Sequence, residues 1–167
     1  MTSENTLQIL TLDDIRDVLQ QAGYRVERFT DPSGVTLLRS ATAGLPFDLR
    51  LGAPLTGGNG YGDITLIAGL QIEGELPLAI VNQWNSMRRF GRLHVAQNFL
   101  VLTLDVLIFG GVTRAHLRGQ IEIWDRLLQE LVPYLRAALN RPVVESDTQA
   151  NAVAESPAEA DTTAHAA

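Results

Sequence analysis

The sequence predicts an α+β fold: an antiparallel sheet with helices packed on one side. Two observations carry the prediction. Strand-like runs follow one another through short turn sequences, and the segments of helical periodicity stand apart from those runs instead of alternating with every strand. The composition agrees, since 46% of residues are hydrophobic and 19% charged, a balance that sustains a packed core.

The first element is a short helix over Thr11–Ala22. Thr11 is its N-cap, Asp13 and Asp14 sit at the positive helix end, and Ile15, Val18, Leu19 and Ala22 share one face. Gly23 stops it. Tyr24–Phe29 alternates as a half-buried strand does, and Asp31-Pro32-Ser33-Gly34 is a turn into a second strand, Val35–Arg39. Phe47, Leu49 and Leu51 alternate with Asp48 and Arg50, the clearest period-two signal in the chain. After the loop Gly57–Gly62 comes a longer strand with Ile64, Leu66, Ala68, Leu70 and Ile72 on one face.

Leu76–Phe90 reads as the second helix, with Ile80, Trp84 and Met87 on its inner side. Leu93 and Val95 mark a strand, Gln97-Asn98 a tight turn, and Leu100–Ile108 the most buried strand, closed by Gly110-Gly111. The last helix runs from a Thr113 N-cap to about Leu139 along a stripe of Leu117, Ile121, Trp124, Leu128, Leu131 and Leu135. Pro133 is expected to kink it or end it early. The expected order is α-β-β-β-β-α-β-β-α. It divides the chain into a flexible N-terminus (1–8), one domain (9–140) and a disordered, acidic, Ala-rich tail (141–167) whose composition cannot bury enough apolar area to order itself.

Composition removes several classes of chemistry. The chain of 167 residues has a formal charge of −6 and contains neither cysteine nor lysine. That excludes disulfides, thiolate ligands and nucleophiles, and lysine Schiff bases. With a pI near 5.0 and no basic block, it lacks the electrostatic footprint of a nucleic-acid binder. The polar start is no signal peptide, and no apolar run reaches a membrane-spanning length. A cytoplasmic location and no membrane association are expected. Frequent Arg and Ala accompany GC-rich bacterial genomes.

Candidate chemical groups are few. His94, His116 and His165 have no metal-ligand spacing. The string Gly57-Gly58-Asn59-Gly60-Tyr61-Gly62 precedes a strand, whereas a phosphate-cradling loop needs a helix there. Asp48, Asp63 and Asp105 lie on strands that nothing in the sequence brings into one pocket. Asp105 interrupts an apolar strand and needs solvent or an arginine partner. The densest positive spot is Arg88-Arg89-Phe90-Gly91-Arg92. It reads either as a grip on carboxylates or phosphates, or as a helix C-terminus neutralised by arginines with Gly91 as its C′ stop.

The stretch Val81–Leu93, with Trp84-Asn85 followed by Arg89-Phe90-Gly91-Arg92, resembles the YbjN family of bacterial proteins. The resemblance continues through Leu100–Leu107, the turn Gly110–Thr113, and Leu117, Gln120 and Trp124 of the last helix, about a third of the chain. It implies a fold like that of type III secretion chaperones, small acidic dimers that bind an unfolded stretch of a partner, and some members are described as sensory transduction regulators. It implies no catalytic residue and no cofactor. The positions it marks are Trp84, Asn85, Arg88, Arg89, Phe90, Gly91 and Arg92. Ala96-Gln97-Asn98 departs from the acidic, Gly-containing turn of many relatives.

Two functions follow as expectations. One is a non-enzymatic protein-binding module, chaperone-like or regulatory; the other is a ligand-sensing or enzymatic domain with a small pocket near Arg88, Arg92 and Asp105. A homodimer is expected with the first, through a sheet face or through a second stripe on the last helix, Ile123, Leu127 and Tyr134.

Overall fold

Alternation along the strands sorts side chains onto two faces, and only one of those faces is roofed by helices. The computed structural model describes residues 6–55 and 60–140. Its elements are β1 (Thr6–Leu7), α1 (Leu12–Gln21), β2 (Glu27–Thr30), β3 (Thr36–Thr42), β4 (Leu45–Leu51) and β5 (Asp63–Gln71), then α2 (Leu78–Met87), β6 (Arg92–Ala96), β7 (Phe99–Leu107), β8 (Val112–Thr113) and α3 (Arg114–Leu139). Six strands form one sheet in the order β2-β3-β4-β5-β7-β6, antiparallel at every pairing.

The inner face carries Leu38, Phe47, Leu49, Leu66, Leu102 and their neighbours into a single core with Ile15, Leu19, Trp84, Leu117, Trp124 and Leu128 of the three helices. This is the predicted α+β architecture. The outer face has no helix over it, and there the register aligns Arg39, Asp48, Ile67, Thr103 and Arg92 in one row. Its charges are largely paired. Arg39 and Asp48 form a two-pronged ion pair at 2.7 and 2.9 Å, and Arg50 meets Asp31 at 3.1 Å.

The structure departs from the sequence reading in several elements. The strand expected to be half-buried over Tyr24–Phe29 is β2, Glu27–Thr30, exposed along its whole length. Thr6–Leu7, expected to belong to a flexible N-terminus, pairs with Val112–Thr113 as a separate two-stranded sheet. A Cβ at Gly111 would fall 2.6 Å from atoms of both Thr6 and Gln8, so the close approach of the two segments requires that glycine. The hairpin β3–β4 is longer than expected because Ala43 and Gly44, both at positive φ, turn the chain in two residues. α3 continues through Pro133, whose missing N–H would have bonded the carbonyl of Gln129. Both residues are exposed, so water can take that bond. Finally, α2 is shorter at both ends than Leu76–Phe90, and Met87, assigned to its inner side, is 53% exposed.

The predicted tail, residues 141–167, and Thr56 to Asn59 of the glycine loop lie outside the described residues. Tyr61 of that loop bridges to Leu10, and β5 begins directly after it at Asp63, so a strand stands where a phosphate site would need a helix.

Candidate functional site

The residues from Trp84 to Arg92 make the passage from α2 to the edge strand β6, and each has a distinct physical task. Trp84 is fully buried, packing edge to face on Tyr134 of α3 with ring centroids 5.2 Å apart. Tyr134 in turn donates its hydroxyl to the Ile80 carbonyl at 2.5 Å, locking α2 to α3. Asn85 closes the sheet: its Nδ2 donates to the Leu93 carbonyl at 2.8 Å and its Oδ1 accepts from the Leu93 N–H at 2.9 Å. One side-chain amide thus stands in for a neighbouring strand and covers part of an edge that would otherwise invite foreign pairing. Asn85→Ala should lower stability by about 2 kcal/mol, for two hydrogen bonds at about 1 kcal/mol each. It should also raise concentration-dependent association. Chemical denaturation with light scattering measures both.

The helix stops at Met87, and Arg88 is already extended. Arg88 lies over the Trp84 ring at 5.3 Å and places its Nε 2.6 Å from Oε2 of Glu130. Gly91 is not the left-handed helix stop expected from the sequence. It is buried, and a Cβ there would fall 2.8 Å from Cδ1 of Leu127 and 3.2 Å from Cδ1 of Leu102. It is glycine so that the chain can pass between α3 and the sheet.

The left-handed residue is Phe90, at φ 73°, with the Gly91 N–H bonded to the Arg89 carbonyl at 2.9 Å. A three-residue turn with positive φ at its centre is the rarer and more strained hand of γ-turn. Its ring is 62% exposed, and the Arg89 guanidinium sits 5.1 Å above it. Arg89 makes no ion pair among the described residues. Arg92, on the outer sheet face, is held loosely by Asp105 at 3.5 Å, while Asp105 also accepts from Thr65 at 2.8 Å. Asp105 is therefore the surface-paired aspartate that the sequence required.

The motif splits into a foundation and a tip. Trp84, Asn85, Arg88 and Gly91 are bound into the fold. Met87, Arg89, Phe90 and Arg92 project from it. Arg88 does not converge with Arg92 and Asp105 as the expected pocket requires, because Arg88 turns toward α3 whereas Arg92 and Asp105 lie on the open sheet face. A hollow of about 770 Å³ lies elsewhere, between α1 and the ends of β2 to β4. Its arginines Arg28 and Arg50 are already paired with Asp13 and Asp31. Among the described residues no three His, Asp or Glu side chains gather as a metal site needs. No described helix is long and apolar enough to cross a membrane.

Comparison with known proteins decides the family. The sequence profile of YbjN, described as "Putative bacterial sensory transduction regulator", matches residues 11–137. The chain belongs to the YbjN family. The match spans the sheet from β2 to β7 and all three helices but the last two residues of α3, extending a likeness first visible around Trp84–Arg92. Among solved structures, the chain is similar to the crystal structure of YbjN from E. coli, called there a "putative transcription regulator". The TM-score is 0.59 at 16% identity, covering 78% of this chain and 94% of that one. At that identity the likeness is one of fold. No curated protein matches the sequence.

Proposed function

We propose that this YbjN-family protein is a non-enzymatic, regulatory or chaperone-like module that binds another protein through the tip formed by Met87, Arg89, Phe90 and Arg92. One observation carries the reading: Phe90 holds a strained backbone conformation yet leaves most of its ring in water. A residue in the left-handed region costs about 1–2 kcal/mol relative to glycine, and an exposed ring returns little of that through packing. The fold alone would be better served by glycine, so the phenylalanine has its use outside the fold. The foundation beneath it is rigid, which lowers the ordering cost that a partner must overcome. Aromatic and arginine side chains are also those that dominate binding interfaces.

The family's description as a regulator agrees with a binding role. The acidic chain and its paired arginines favour a protein partner over nucleic acid, and the reading includes action in the cytoplasm, without a cofactor. Self-association belongs to it as well. α3 is spoken for, because Leu127 packs at Gly91 and Tyr134 packs on Trp84. The open sheet face, with Phe99 and Leu107 44% and 66% exposed, supports a two-fold homodimer through that face. Sedimentation equilibrium at micromolar concentration should give twice the chain mass, and a clean monomer mass removes that part of the proposal.

Phe90→Gly separates binding from folding. It should leave urea stability equal or raise it by about 1 kcal/mol, while abolishing capture of the partner. Immobilised wild type, Phe90→Gly and the double variant Arg89→Glu, Arg92→Glu are exposed to lysate of the native bacterium, and retained proteins are quantified by mass spectrometry. A protein retained by wild type and lost from both variants is the expected partner. Identical retention by all three would reduce the cluster to a helix terminus.

A further inference from the structure

Resting on that reading of the tip, we infer that its first ligand is this chain's own acidic C-terminal segment, residues 153–161, so that a partner must displace it. The observations are charge, tether and sequence. Residues 141–167 hold five carboxylates against one arginine, a net −4 of the chain's −6. Arg89 makes no ion pair among the described residues, and Arg92 is 66% exposed. The exposed Phe90 between them offers an apolar contact, and the segment matches it with Val153 preceding Glu155, Glu159 and Asp161.

The tether has the right length. Glu130 of α3 touches Arg88, and α3 ends at Leu139, so about 15 Å of helix separates the tip from the start of the segment 141–167. Glu155 is 15 residues beyond Asn140, and a random coil of that length has a root-mean-square span of about 20 Å. Effective concentration is greatest when such a span matches the gap, and reaches the millimolar range. Glu145, only five residues beyond Asn140, would need a nearly taut chain to double back that far. That assigns the contact to the distal carboxylates.

The lack of cysteine makes the test clean. A nitroxide placed on Ala158→Cys in the full chain should broaden the backbone amides of Arg89, Phe90, Gly91 and Arg92 to below about half intensity at about 50 mM salt. The signals should return at about 500 mM salt, where screening shortens to a few ångströms, and in the Arg89→Glu, Arg92→Glu variant. Broadening spread evenly over the surface, or centred on Arg126 and Arg136 of α3, overturns the inference. The lysate capture is then repeated with Glu155→Gln, Glu159→Gln, Asp161→Asn. A severalfold rise in Phe90-dependent capture is expected. Capture that needs Phe90 but ignores these substitutions refutes the intramolecular contact and leaves the tip a binding site. Capture that ignores Phe90 refutes the tip itself.

Discussion

Trp124→Ala is expected to cost about 3–5 kcal/mol of folding stability, the range for a large aromatic removed from a closed core. Trp124 is fully buried midway along α3 and meets Phe47 of β4 edge to face, centroids 5.8 Å apart. Phe47 in turn packs on Tyr24, so the indole joins the helix layer to the sheet. Its Nε1 has no hydrogen-bond partner among the described residues, so its contribution is packing and burial rather than a polar bond. A cavity of this size between a long helix and a paired sheet cannot collapse without shifting both, which places the effect toward the upper end of the range. Urea titration checks it, and a loss under about 1 kcal/mol would remove Trp124 from the core.

Trp84→Ala should cost a similar 3–5 kcal/mol, with a second effect that Trp124→Ala lacks. The Trp84 ring packs against Tyr134 and lies under the Arg88 guanidinium, so its loss loosens the foundation under the tip. Amides of Arg88–Arg92 should therefore exchange with solvent faster in Trp84→Ala than in Trp124→Ala at matched global stability. Trp84→Phe should recover most of the stability, because the indole N–H that it removes also has no partner among the described residues. The chain has two tryptophans, so in each variant the remaining one reports the unfolding transition alone.

The long strands were legible because each carries its own signal. Phe47, Leu49, Ile64, Leu66 and Leu102 alternate with polar or smaller residues, and all five are buried on the inner face. Asp105 was legible for the opposite reason, since a charge in an apolar strand has few places to go. β1 and β8 were not legible, because two-residue strands have no period and exist only where Gly111 lets two distant segments meet. Met87 was misplaced because its spacing from Ile80 and Trp84 fits an inner face, but α2 ends there and the face ends with it.

The sequence alone determined the α+β class, the order of the main elements and the inward residues of each, because periods of 2 and 3.6 are written into contiguous stretches of chain. It also singled out Trp84–Arg92 as the segment of interest. Only the tertiary structure decided what those residues do. Arg88 and Arg89 are neighbours of identical chemistry, yet one is paired with Glu130, 42 positions away, and the other has no ion pair among the described residues. Gly91 is glycine because of Leu127, and the left-handed turn falls on Phe90, a residue type that does not announce it. Partners so far apart in sequence are brought together by packing, and no local pattern encodes them.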